Sequence, residues 1–266
     1  MTDPELSDLE VAHLLADAAR AATLPWFRRQ GLRAEDKGSA GYDPVTVADR
    51  AAERAMRDIL ARHRPDDAIL GEELGNTQGS SGRTWVLDPI DGTRGFISGT
   101  PTWGVLIALG TPECVILGII DQPYTAERFV GAPGVAAVSG PFGTDPLGTR
   151  RGSTLADAIL FSTFPEVGTP QERAGFEAVA DKVRLTRFGM DCYAYALVAA
   201  GQVDLVIEAG LKPYDIQAPI GVIEAAGGIV TDWRGGPALQ GGRVIAAANQ
   251  RVHAEALDIL SKVPAD

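Results

Sequence analysis

A chain of 266 residues, 45% hydrophobic and 22% charged, carries enough apolar material for one large domain or two modest ones. Its net charge of −11 excludes nucleic acid and anionic membrane as main partners, because both need a basic footprint. Two cysteines, Cys114 and Cys192, lie far apart with no CxxC pair, which excludes a disulfide framework or zinc knuckle and fits a reducing cytoplasm.

The opening "MTDPELSDLE" is acidic and has no apolar core, unlike a secretory signal. "LSDLEVAHLLADAARAATLPWFRR" repeats apolar residues at helical spacing through Leu9, Ala12, Leu15, Ala16 and Ala19, and predicts an amphipathic helix. A second helix is expected in "TVADRAAERAMRDILARH", with Thr46 as N-cap, Asp49 three residues on, and Ala48, Ala52, Ala55 and Ile59 as its apolar face. A short apolar run ends in Glu72 and Glu73, and a Gly/Ser-rich loop, "GNTQGSSGR", leads to the strand "TWVLD". "WGVLIALGTPECVILGII" is broken by Gly110, Pro112 and Glu113, so it predicts a β-hairpin and not a membrane span.

The Gly- and Pro-rich text from about Ala132 to Ser153 is the expected domain junction. Beyond it, "AILFST" and "KVRLTRFG" predict strands around a helix at "PQERAGFEAVADK". A helix "CYAYALVAAG", a strand "VDLVIEAG", a helix "DIQAPIGVIEAAGG" and a strand "RVIAAAN" follow. The fold class is α/β, an α+β chain in layers.

Acidic residues collect where these elements begin or end: Asp49, Glu72 with Glu73, Asp88 with Asp91, and Asp215. Each has an ordinary structural role open to it, as a helix cap (Asp215), a dipole partner (Asp49), a solvated loop (Glu72, Glu73) or a turn (Asp91-Gly92). Together they form the oxygen-only set that a hard divalent cation such as Mg²⁺ prefers, and a cation removes the repulsion between Asp88 and Asp91. "DPIDGTRGFISG" lacks the alternating ligands and the terminal acid of an EF-hand loop, and "GSSGRT" lacks the Gly-Lys pair of a P-loop. A helix starting at Gly92-Thr93 would turn backbone N–H groups toward an anion, so cation ligands beside it point to a metal-bridged phosphate ester. His13, His63 and His253 fall in charged helical text away from the acids and are expected at a surface or interface. No Ser-His-Asp or Cys-His set is readable and Cys192 is expected to be buried, so hydrolysis would need a metal-activated water.

In order and spacing, "DPVTVADRAAE" (43–53), "GEE" (71–73), "WVLDPIDGTRGF" (85–96) and "KPYDIQAPIGVIEAAGG" (212–228) resemble the signature segments of the inositol monophosphatase superfamily. The resemblance implies an αβαβα five-layer sandwich of the sugar/inositol phosphatase type. It implies an N-terminal α+β subdomain (1–145) with most metal ligands and a C-terminal α/β subdomain (150–266) contributing Asp215 and the substrate-recognition residues. It assigns Glu72, Asp88 and the Ile90 carbonyl to one Mg²⁺, and Asp88, Asp91 and Asp215 to a second. Two or three ions are implied per site, with Mn²⁺ as a possible substitute. Glu72 and the Thr93–Asp49 pair would orient the attacking water and accept its proton, and the backbone of Gly92 and Thr93 would contact phosphate. A cytoplasmic homodimer acting on a small phosphate ester, with neither nucleic acid nor membrane as partner, completes the expectation.

"GFISGTPTWGVLIAL" (95–109) and "GMDCYAYALVAAGQVDLVIEAGLKPYD" (189–215) resemble the histidinol-phosphatase branch of that superfamily more closely. That resemblance implies hydrolysis of histidinol phosphate in histidine biosynthesis, with Asp191 and Glu208 available to pair with the substrate ammonium. Asp191 also has the simpler role of capping the helix that follows it. An inositol or broad sugar phosphatase remains the alternative enzyme, and a non-catalytic phosphate- or metal-binding protein the alternative of another kind. Whether Arg94, Arg187 or Lys212 touches substrate is left open.

Overall fold

The structure, a computed structural model, describes residues 6–36 and 44–264. Helices α1 (Asp8–Thr23) and α2 (Val47–His63) both begin on capping boxes, Ser7 with Glu10 and Thr46 with Asp49. Strands β1 (Glu35–Asp36) and β2 (Pro44–Val45) pair between them; Asp43, first residue of the 43–53 motif, lies outside the described residues. The buried face of α2 is not the expected stripe. Ala48, Ala52, Met56 and Leu60 go inward together with Asp49 and Glu53, while Ala55 and Ile59 are half-buried. A stripe drawn through apolar residues alone overlooks acids whose burial is matched by hydrogen bonds.

The first sheet is built from β3 (Ala68–Gly71), β4 (Gly75–Thr77), β5 (Thr84–Asp91), β6 (Gly104–Gly110), β7 (Val115–Gln122), β8 (Glu127–Ala132), β9 (Val135–Gly140) and β10 (Gly143–Pro146). Their order is β10-β9-β8-β7-β6-β5-β3-β4; β3 and β5 run parallel and every other pairing is antiparallel. The short helix α3 (Thr93–Ser98) connects β5 to the expected β6–β7 hairpin. Two loop-like texts are partly strand. The Gly/Ser-rich loop begins as β4, and the Gly/Pro-rich span is strand as far as Pro146, so only residues 147–158 carry the chain to the second sheet. The glycines that made this span look like a linker turn the tight hairpins: Gly134, between β8 and β9, has φ 75°.

The second sheet takes β11 (Ile159–Ser162), β12 (Leu185–Phe188), β13 (Leu205–Leu211), β14 (Ile229–Asp232) and β15 (Gly242–Ala247) in the order β12-β11-β13-β15-β14. Helices α4 (Pro170–Ala180), α5 (Tyr193–Ala199), α6 (Pro213–Ala225) and α7 (Gln250–Leu260) follow β11, β12, β13 and β15. Three of the apolar clusters define five layers. Leu15, Ala16, Met56 and Leu60 of α1 and α2 pack on Trp85, Leu87, Ile107 and Ile119 of the first sheet. The opposite face of that sheet, with Val86, Leu106 and Ile120, meets α5, α6 and the second sheet's Val206, Val244 and Ala246. Phe176, Val179, Val252 and Leu260 of α4 and α7 cover the outside of the second sheet. This is the expected α/β/α/β/α arrangement.

Helix α6 lies backbone-close on the first sheet: a Cβ at Gly118 would overlap the Ala218 carbonyl, and one at Gly131 that of Gly221. That contact fixes where the start of α6, and Asp215, sits relative to β5. No helix among the described residues is long and apolar enough to cross a membrane.

Candidate active site

Alternation along β5 sends Trp85 and Leu87 toward α1 and α2, and Val86 and Asp88 toward α5 and α6. Asp91, three residues after Asp88, should by the same alternation point the other way. It does not, because Asp88 pairs with Leu106 and Asp91 with Gly104: one extra residue on β5 makes a bulge that returns Asp91 to the face of Asp88. Asp215, at the third position of α6, joins them from across the layer, and one carboxylate oxygen from each of Asp88, Asp91 and Asp215 lies within 4.8 Å of the others. Glu72 follows β3, whose Gly71 is paired in parallel with Leu87, so two neighbouring strands end side by side in acids. Glu72 lies against Asp88, and its charge acts on Asp49, Asp88 and Asp215 as well.

The electrostatics are those of crowded acids, only partly offset by their hydrogen bonds and by Lys212. Asp88, 2% exposed, is pushed well above the usual carboxylate range by burial and then by Glu72, Asp91 and Asp215. Asp91 is raised by burial, then by Asp215 and Asp191, against a 2.7 Å hydrogen bond donated by Cys192 N. Asp215 is raised to about 7 by burial and by Glu72 and Glu208, although Lys212 N donates to it at 2.6 Å and the Lys212 charge pulls the other way. An acids-only donor set of three converging carboxylates matches the preference of a hard divalent cation. The Ile90 carbonyl, expected as a further ligand, accepts from Thr93 Oγ1 at 3.1 Å. The Ile90 side chain is locked into a cluster of Phe27, Ala48, Phe96 and Trp103.

Asp49 and Thr93, expected to work as a pair, are not bonded to one another. Asp49 Oδ2 accepts from Thr46 N (2.9 Å) and Thr46 Oγ1 (2.6 Å), while Thr93 donates to Ile90. Asp49 Oδ1 is buried with no partner among the described residues, and burial together with the charge of Glu72 raises this carboxyl to about 6.

Gly92 has φ 81°, in the left-handed region, and heads α3. It was expected to let a phosphate approach; the group that approaches in the structure is Asp191, whose Cγ would stand 2.7 Å from a Cβ at Gly92. Asp191, itself at φ 47°, does not cap α5, whose N-cap is Cys192. Its Oδ2 accepts from Thr102 Oγ1 at 2.8 Å, and burial raises its pKa while Thr102 and the Arg94 charge lower it. Arg94 stacks its guanidinium 4.9 Å from the ring centre of Phe164, just beyond β11, and so bridges the two sheets beside the site. Glu208 on β13 is buried; Oε1 accepts from Thr163 N (2.8 Å) and Thr163 Oγ1, and Oε2 from the Tyr195 hydroxyl (3.2 Å). Its pKa is raised by burial, with the Asp191 charge adding to the rise against these bonds. Arg187 lies over Phe161, and Lys212 is the N-cap residue of α6.

Sequence reasoning missed Thr102, Thr163 and Tyr195, the hydroxyls that hold Asp191 and Glu208, and it missed Glu53. Only Glu53 carried a signal, as an acid one helical turn after Asp49. Cys192 is buried as expected, with its thiol pKa pushed up by burial and by Asp91 and Asp191, which leaves it a neutral packing group. His253 is a correction: it is buried, with Nε2 2.8 Å from Thr231 Oγ1, because α7 packs that face on the second sheet.

Acids at the ends of two parallel strands, joined by a helix-borne acid and flanked by a glycine-headed turn, define a metal-dependent phosphatase of the layered α/β type. The chain belongs to the inositol monophosphatase family, whose model matches residues 7–265. It is 41% identical over 273 residues to the bifunctional phosphatase IMPL2, chloroplastic, of Arabidopsis thaliana, covering 96% of this chain and 77% of that protein. It is 36% identical over 264 residues to a histidinol-phosphatase of Streptomyces coelicolor, covering 97% and 98%. Among solved structures, an inositol monophosphatase from Zymomonas mobilis matches with a TM-score of 0.84 at 41% identity, over 96% of this chain and 97% of that one.

Proposed function

We propose that this phosphatase hydrolyses L-histidinol phosphate to L-histidinol and phosphate, in histidine biosynthesis. The observation that carries the reading is the second pair of carboxylates, Asp191 and Glu208, within electrostatic reach of Asp91 and Asp215. Once cations balance the first cluster, these two remain. The Arg94 guanidinium offsets Asp191 in part, and an ammonium on the substrate matches what is left; a neutral polyol does not. The 36% identity to a histidinol-phosphatase supports the same reading.

Asp88, Asp91, Asp215, Glu72 and the Ile90 carbonyl would hold the cations. Bound there, a divalent cation such as Mg²⁺ polarises the phosphoryl oxygen and lowers the pKa of water. The chain's own groups do the rest. Asp49, near neutrality and with one unbonded oxygen, accepts the proton from the attacking water, and Thr93 orients that water. Backbone N–H groups at Gly92 and Thr93 face the phosphate. Asp191 fixes the ammonium of the leaving alcohol.

One observation favours a second reading, an inositol or sugar phosphatase. Glu208 already accepts three hydrogen bonds, which leaves it little capacity for a substrate ammonium. Turnover of histidinol phosphate, inositol 1-phosphate, fructose 1,6-bisphosphate and 3′-phosphoadenosine 5′-phosphate decides between them. The expected outcome is a kcat/KM at least about tenfold higher for histidinol phosphate, the discrimination given by about 1.4 kcal/mol. Equal or better turnover of a neutral ester rejects the proposal, and binding without phosphate release points to a non-catalytic role.

A further inference from the structure

We infer that Glu53 is a positioning residue for the cation ligand Glu72, acting with Arg57 as a clamp from α2; the inference rests on the reading of Glu72 as a ligand. Glu72 sits in a three-residue turn, 72–74, between β3 and β4, and β4 is the outermost strand of its sheet with all three residues exposed. Such a turn, with Leu74 exposed as well, has little apolar burial to hold it. Its N–H groups do not face water. Glu73 N donates to Glu53 Oε2 at 2.7 Å and Leu74 N to Glu53 Oε1 at 3.2 Å, so the two amides that follow Glu72 end on one fully buried carboxylate.

Arg57, one turn further along α2, completes the clamp. Its Nε donates to Glu53 Oε1 at 2.8 Å, Nη1 to Thr77 Oγ1 at 2.9 Å, and Nη2 to the Gly75 carbonyl. A Cβ at Gly71 would overlap Glu53 Oε1, so the strand before Glu72 has been kept bare for this carboxylate to fit beneath it. A buried ion pair is weak evidence for stability as such, and one that grips an edge turn immediately after a cation ligand has a clearer use in fixing that ligand. Asp49 and Glu53 thus give α2 one acidic face: the first lies within reach of the Glu72 charge, the second holds the Glu73 and Leu74 amides that follow Glu72.

The test is cation affinity without substrate, measured on the full chain freed of metal by chelation, with Mn²⁺ followed by electron paramagnetic resonance and Mg²⁺ by calorimetry. Glu53→Gln removes the charge while keeping the shape, and Glu53→Asp, which keeps the charge but draws it back from the turn, serves if the first variant does not fold. The dissociation constant of at least one ion is expected to rise about 10–100-fold. Thr169→Ala, which removes the cap of α4 far from the site, lowers the melting temperature and leaves cation affinity within twofold of the parent. A folded Glu53 variant that takes up Mn²⁺ with the parent's affinity and stoichiometry overturns the inference and leaves the cation site intact. A parent chain that takes up neither ion overturns both.

Discussion

The acid cluster and the pair proposed above for recognition, Asp191 and Glu208, act on one another electrostatically but are built in opposite ways. Asp88 and Asp91 lie on a single strand and are turned to the same side by a one-residue bulge, with Glu72 in the turn that follows the neighbouring strand. Asp191 and Glu208 come from separate elements of the second half, and each is held by hydroxyls far off in sequence: Thr102 for Asp191, Thr163 and Tyr195 for Glu208. The first region is centred on one strand, is joined by Asp215 from α6, and is repulsive. The second is non-local and held in place by hydrogen bonds. A cluster of the first kind suits the reaction shared by a family, and one of the second kind suits the choice of a particular alcohol.

Breaking the first region should have the largest effect, and in two directions at once. Asp88→Asn removes a ligand, and phosphatase activity at saturating Mg²⁺ is expected to fall more than about 100-fold. The same change relieves a buried carboxyl that its neighbours push well up, so the cation-free protein should melt higher. Each 1 kcal/mol gained corresponds to about 2–4 °C in a chain of this size. Activity near that of the parent, measured by phosphate release, would sink the ligand assignment. An inactive variant that also melts lower would remove the repulsion argument.

Asp191→Asn tests the second region. The kcat/KM for histidinol phosphate should fall about 10–100-fold, the effect of 1.4–2.8 kcal/mol, while a neutral ester changes less than about threefold and Mn²⁺ affinity holds. An equal loss on both esters would place Asp191 with the acid cluster and not with recognition.

The first region was largely legible because its chemistry is written in twelve consecutive residues: strand, acid, proline, acid, glycine. The five layers were equally open to reading, since periodicity shows which segments bury a face and the resemblance supplies their order. Three things were not legible. The bulge is invisible in a spacing of three, which by strand alternation separates Asp88 from Asp91. The inward acids of α2 break the apolar stripe, because a buried Glu53 is tolerated through Arg57 one turn on and through amides about 20 residues away in the Glu72 turn. The hydroxyls of Thr102, Thr163 and Tyr195 carry no local signal, since a threonine in a strand-rich text is ordinary until the fold brings a carboxylate to it.

Cation and pH should separate the two regions by a smaller effect, on stability. Asp88, Asp91, Asp49 (to about 6) and Asp215 (to about 7) all have folded-state pKa values above the unfolded value near 3.9. Raised acids favour the folded state while protonated. Their contribution is present below about pH 4 and is lost as pH rises through about 4 to 7 in cation-free protein. Asp8 and Glu172, lowered against burial by arginine partners and hydrogen bonds, act in the opposite sense and only near or below their unfolded values. Cation binding needs the ionised acids, so the rise in melting temperature on adding Mg²⁺ should grow from pH 5 to pH 8. A rise that is constant across this range, followed by scanning calorimetry, contradicts the crowding of acids described above.

The finest distinction comes from Thr102→Val, which touches only the holder of Asp191. Valine keeps the shape and removes the 2.8 Å hydrogen bond to Oδ2, one of the two influences that lower the Asp191 pKa. A bond to a charged acceptor is worth about 1.5–3 kcal/mol when buried, and the half-buried carboxylate here recovers part of it from water. The loss in kcat/KM for histidinol phosphate near neutral pH is then expected at about 2–5-fold, about 0.4–1 kcal/mol and so below that range. Its pH profile carries the sharper information. With a stabiliser of the charged form gone, Asp191 ionises at higher pH, so the acid limb for the cationic substrate moves upward and the loss shrinks in alkaline buffer. The limb for a neutral ester stays in place. If both limbs move together, the hydroxyl acts on the acid cluster through Gly92, and the two regions are one electrostatic unit.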